Sequence, residues 1–139
     1  MKRNKYGYGV ESNSYQAAGE LEGITRLVEA FYSNMDTFPE AETIRNMHPK
    51  DLSEARKKLA YFLSGWLGGP RLYSQTFGGI SIPNSHRHLV IGDAEGEAWL
   101  YCMQHAVADQ PYEDSFKEYL LTELKVPVER IKAVCAVNN

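Results

Sequence analysis

Apolar side chains in this chain recur three and four positions apart over most of its length, and no strand pattern appears. That pattern commits most of the sequence to amphipathic helices, because only a 3.6-residue period puts positions i, i+3, i+4 and i+7 on one face. Residues 20–36, ELEGITRLVEAFYSNMD, carry Ile24, Leu27, Val28, Phe31 and Met35 in that phase. Pro39 ends the run, and EAETIRNM over 40–47 can form a second short helix. Residues 15–19 have room for one helical turn before Gly19. Over 51–67, Asp51 is a candidate N-cap and Glu54 completes a capping-box pattern. Leu52, Ala55, Leu59, Phe62, Leu63 and Trp66 then share a face, and Gly68, Gly69 and Pro70 end the helix. The glycine pair predicts a sharp exit for the chain that follows. Residues 71–84 read as a loop, because Gly78, Gly79 and Pro83 break any periodicity. Asp93 is placed to cap a helix over 94–108 with Trp99, Leu100, Met103, Ala106 and Val107 on its inner face. A last helix is expected over 113–137, in phase from Phe116 through Leu120, Leu124, Val128 and Ile131, with Pro127 kinking or splitting it. The expected fold is all-α, with about five main helices. Residues 1–14 show no periodicity and read as a flexible extension, leaving 15–139 as the domain.

Size and charge narrow the partners. A chain of 139 residues fits one domain able to bury a core without staples. The net charge of −3 and pI near 5.8 give no general attraction to nucleic acid or to an anionic membrane. No apolar run is long enough to span a bilayer, and the basic MKRNKYGYG start is not followed by an apolar stretch of the secretory kind. Cys102 and Cys135 each sit in an apolar helical pattern and read as buried reduced thiols in a cytoplasmic protein. Aromatic residues are 12% of the chain, nine of them tyrosine, which suits either a plain core or the walls around a large flat ligand.

His86 and His88, in SHRHLVIG, raise the question of a metal. A structural zinc site needs three or four close ligands, and two loop histidines without a nearby cysteine fall short. No glycine-rich nucleotide loop and no nucleophile elbow occurs. One histidine suffices for haem, which needs a proximal imidazole, an apolar slot, and cationic or hydroxyl groups for the propionates. A helical interaction domain whose aromatic surplus is only core meets the same composition without any cofactor.

The run HPKDLSEARKKLAYFLSGWLGGPRLYS, then SHRHLVIG, then EGEAWLYCMQHA, resembles the truncated haemoglobins, group II in particular, and FYSNM in the first long helix agrees with it. The resemblance covers residues 15–137 and implies a globin-like, truncated two-over-two helical sandwich around one haem b. In that family the proximal histidine precedes an apolar residue at +3 and an isoleucine at +5. His86 meets this with Leu89 and Ile91, whereas His88 would leave Gly92 at +4 and too short a step to Trp99. The resemblance therefore implies His86 as the iron ligand, with His88 at the haem edge. It also implies Tyr32 and Trp99 as distal hydrogen-bond donors to a diatomic ligand. His48 falls where the family usually has tyrosine or phenylalanine, so an imidazole there could donate to O₂ or bind iron directly. Ala55 stands where ordinary globins carry the distal histidine, and Leu59 should lie over the haem plane beside Phe62. Lys58 and Arg87 are the propionate candidates, with Tyr73 as hydroxyl partner. The arginine that group II proteins often place just before the proximal histidine is Ser85 here.

The implied function is binding of O₂, and of CO or NO, at a proximal-histidine haem, with oxygen transport as its setting. The alternative is a haem enzyme for NO dioxygenation or peroxide reduction, which would need an external reductase. The expected assembly is a monomer or weak dimer.

Overall fold

The computed structural model describes residues 7–78 and 89–138. The elements are α1 (Asn13–Ala17), α2 (Glu20–Thr37), a 3₁₀ turn (Pro39–Ala41), α3 (Glu42–Asn46), α4 (Ser53–Trp66), α5 (Leu72–Phe77), α6 (Asp93–Ala108) and α7 (Asp114–Asn138). No strand occurs among the described residues, and no helix there is long and apolar enough to cross a membrane. The α2 helix packs against both α4 and α6, and α6 packs against α7. The stripe read from the sequence of α2 is the one that is buried: Ile24, Leu27, Phe31 and Met35 are at most 1% exposed. Cys102, Met103, Ala106 and Val107 of α6 and Phe116, Leu120 and Leu124 of α7 close the core against it. Neither cysteine forms a disulfide, and both are buried. The Asn34 side-chain amide donates to the Cys102 carbonyl at 3.0 Å, holding α2 and α6 in register near the turns that carry Tyr32 and Trp99.

Four local expectations change in three dimensions. Asp51 does not cap α4: its Oδ1 accepts from the backbone N–H and the hydroxyl of Ser53 at 2.9 and 2.7 Å, which starts the helix two residues later. A side chain bonded to the backbone two residues on makes a turn of its own and is no longer available as a cap. Glu54 accordingly pairs with Lys58 at 3.1 Å instead of turning back. The segment 71–84 is not all loop, because Leu72–Phe77 forms α5 and the breakers all lie beyond it; Gly78, with φ of 84°, ends that helix. Asp93 is the first residue of α6 and not its cap. Gly92 donates its N–H to Glu95 Oε1 at 2.7 Å, while Asp93 reaches Lys132 on α7 at 2.9 Å. Finally, of the two outcomes expected at Pro127, kink or split, the split does not occur: α7 runs as one helix through it, with one backbone donor removed.

The glycine pair after α4 has a role the sequence did not disclose. Gly68 has φ of 91°, and a Cβ there would collide with the carbonyl of Glu11; a Cβ on Gly69 would collide with the ring of Tyr15. Tyr15 donates its backbone N–H to the Leu67 carbonyl at 2.9 Å. Farther up the same segment, the Tyr8 ring lies 5.3 Å from Phe116 and 5.2 Å from Tyr119, and its hydroxyl is 2.7 Å from Ser115 Oγ. Residues 7–15 thus lie as a strap from the C-terminus of α4 to the start of α7.

Candidate functional site

Between α4, α6 and α7 lies a cavity of about 430 Å³ with mostly apolar walls. Every described residue that the sequence singled out lines it. Tyr32 comes from α2 and His48 from the turn after α3; Ala55, Lys58, Leu59 and Phe62 form one wall along α4. Tyr73 of α5 and Trp99 of α6 complete the set. His86, Arg87 and His88 lie outside the described residues. Leu89 and Ile91, three and five positions after His86, line the same cavity.

Sequence reasoning missed several wall residues. Ile44 and Met47 line the cavity near α3, and Leu124, Pro127, Val128 and Ile131 line it from α7. The apolar phase of α7 was readable, but not that part of its stripe faces a cavity. Gly96 allows that approach: a Cβ there would stand 3.1 Å from Val128 Cγ1 and 3.0 Å from Lys132 Cδ.

The polar groups in this apolar space are few and distinct. Tyr32 is 5% exposed, and among the described residues its hydroxyl makes only a 3.5 Å approach to the Ala55 carbonyl. That is long for an O–H···O bond, so the hydroxyl is nearly uncommitted. Burial pushes the Tyr32 phenol up to about 12, against a smaller opposing pull from Arg56, so the group stays a neutral donor. Phe31 wedges between the two aromatic donors, 4.9 Å from the Tyr32 ring and 4.9 Å from Trp99. The Trp99 indole N–H has no hydrogen-bond partner among the described residues. The His48 ring stands edge-on to Tyr32 at 5.9 Å, with Nδ1 2.8 Å from the Ile44 carbonyl. At the rim, Lys58 lies 5.5 Å over the Phe77 ring, and the Tyr73 ring is 5.1 Å from Phe77.

These residues fit a haem. An apolar slot contains a loosely held hydroxyl and an indole N–H without an acceptor among the described residues, both placed to meet a bound ligand. A lysine and a tyrosine line the same slot, where they could meet carboxylates.

Comparison with known proteins agrees. The model of the bacterial-like globin family matches residues 13–131. The group 2 truncated hemoglobin YjbI of Bacillus subtilis (strain 168) is 32% identical over 112 residues, 81% of this chain and 82% of that protein. Among solved structures, the group II 2-on-2 hemoglobin from Agrobacterium tumefaciens superposes with a TM-score of 0.81 at 31% identity, covering 86% of this chain and 92% of that one. The cold-adapted truncated hemoglobin from Pseudoalteromonas haloplanktis TAC125 gives 0.81 at 27% identity, covering 85% and 95%. The truncated oxygen-avid haemoglobin from Bacillus subtilis gives 0.76 at 30% identity, covering 85% and 97%. The matched residues span α1 through most of α7, so the chain belongs to the bacterial-like globin family and, within it, to the group II truncated haemoglobins, whose family trait is haem-based ligand binding.

Proposed function

We propose that this chain holds haem b through His86 and binds O₂, with CO and NO as further ligands, under the control of Tyr32 and Trp99. The observation that carries the reading is the pair of donors without firm partners among the described residues, one hydroxyl and one indole N–H, in a cavity with mostly apolar walls. Haem iron would supply the bond to a diatomic ligand and pass partial negative charge onto it. The remaining work falls to the protein. Tyr32, kept neutral by burial, donates toward that charge, and Trp99 donates from the adjacent helix. In a dry cavity such hydrogen bonds are stronger than in water. Leu59, Phe62, Val128 and Ile131 keep the space apolar. Lys58 can exchange its exposed Glu54 partner for a propionate, with Tyr73 and Arg87 completing that role. The oxygen-avid character named for the Bacillus subtilis neighbour supports O₂ as the ligand.

Absorption spectra of the ferric, ferrous and CO-treated protein test the reading. A strong Soret band that shifts with CO is expected. His86→Ala should abolish the proximal bond and most haem retention, while His88→Ala should leave both intact. A wild-type protein with no Soret band after haemin addition removes the haem reading, and the reverse behaviour of the two histidine variants moves the ligand to His88.

A further inference from the structure

The polar side chains of the cavity are not interchangeable donors. Ile44 lies in the last turn of α3, where carbonyl groups lack intrahelical partners. Its oxygen accepts the Met47 N–H at 3.2 Å and also takes His48 Nδ1 at 2.8 Å. A carbonyl only accepts, so the Nδ1 of His48 carries the proton. A neutral imidazole has a single N–H, and here that proton is spent on the backbone. In the neutral ring, Nε2 then has a lone pair and no proton. The two ring nitrogens point in divergent directions, so the bond that turns Nδ1 to the α3 backbone turns Nε2 away from it, on a ring that lines the cavity.

We infer that His48 is the hydrogen-bond acceptor of the distal set and not a third donor, and that it competes with the diatomic ligand for the Tyr32 hydroxyl. The inference rests on the haem reading above. Its geometric basis is the pairing of a fixed acceptor with a loose donor: the Tyr32 ring is 5.9 Å away, and its hydroxyl has only the 3.5 Å approach to Ala55 to give up. An imidazole lone pair facing a partly negative ligand adds no attraction. Its effect is to draw off part of the hydrogen bonding that Tyr32 would otherwise direct at the ligand. His48 therefore lowers ligand retention where an Nε2 donor would raise it, and the two roles predict opposite signs on removal.

Two measurements on haem-loaded protein decide the matter. In the diamagnetic ferrous state under carbon monoxide, long-range proton–nitrogen correlation of ¹⁵N-histidine-labelled protein reads which ring nitrogen of His48 is protonated, with the signal assigned by its loss in His48→Gln. Protonated Nδ1 with bare Nε2 is expected. A proton on Nε2, in the neutral tautomer or in a charged ring, overturns the inference. Stopped-flow O₂ release gives the second reading: His48→Phe should release O₂ more slowly than wild type, while Tyr32→Phe should release it at least about tenfold faster. An unchanged or faster release in His48→Phe ends the proposal, and a faster one makes His48 a donor. Failure of the haem reading shows separately as a missing Soret band, and the same tautomer is then still measurable in the apoprotein.

Discussion

Replacing Tyr32 by phenylalanine separates its contribution to ligand binding from its contribution to the fold. The substitution removes one oxygen from a residue that is 5% exposed. In the ligand-free protein that oxygen has only a 3.5 Å contact with the Ala55 carbonyl, beyond the ordinary range for a hydroxyl donor. An ordinary intramolecular hydrogen bond contributes about 1 kcal/mol, and this one is weaker, so unfolding free energy should change by less than about 1 kcal/mol in either direction. The ring itself stays, and with it the edge-on packing against Phe31. Ligand release should respond differently. A hydrogen bond to a charged acceptor contributes about 1.5–3 kcal/mol, which corresponds to roughly a 10- to 150-fold faster dissociation of O₂. The assay is stopped-flow O₂ release beside urea unfolding of the haem-free protein, for wild type and Tyr32→Phe. An off-rate within about threefold of wild type would refute the donor assignment. A loss of stability above about 2 kcal/mol would show that the hydroxyl holds a structural bond the 3.5 Å geometry does not account for.

The remaining predictions concern stability. Because burial raises the Tyr32 phenol from its ordinary value of 10.0 to about 12, the unfolded chain loses this proton first as pH rises. The associated stability is fully present below pH 10 and is lost between there and about 12. Titrating urea midpoints against pH should show this fall, and Tyr32→Phe should flatten it by roughly 2 kcal/mol; an unchanged slope refutes the assignment. Tyr112 has a buried hydroxyl with no hydrogen-bond partner among the described residues, so Tyr112→Phe should be neutral or should stabilise by up to about 1 kcal/mol in thermal unfolding. Gly68→Ala combines a left-handed backbone with a collision against the Glu11 carbonyl and should cost about 2 kcal/mol or more. A Gly68→Ala protein as stable as wild type would show that residues 7–15 are not held against α4.

The legible part of this protein was its helical frame. The stripe Ile24, Leu27, Val28, Phe31 and Met35 is a local pattern, and a 3.6-residue repeat buries it whatever the partner helix is. The same holds for the inner face of α6 and most of α7. Motif resemblance added Tyr32, His48, Ala55, Leu59 and Trp99, which the structure places around one cavity. The α5 helix escaped because six residues with glycines just beyond them carry too little periodicity to be seen.

What sequence alone determined was therefore which residues turn inward on each helix, since that depends on spacing along one chain segment. What only the tertiary structure decided was which of those inward residues face a cavity and which protons they have free. Leu124 and Val128 share one stripe with Phe116, yet they line the cavity while Phe116 packs against Tyr8. The Gly68–Gly69 pair reads as a helix stop until residues 11–15 arrive to need the missing side chains. His48 could turn either ring nitrogen to the backbone until Nδ1 came to lie 2.8 Å from the Ile44 carbonyl. Each of these outcomes depends on groups approaching to within a few ångströms in space, and short-range contact and hydrogen-bond geometry are not functions of spacing along the chain.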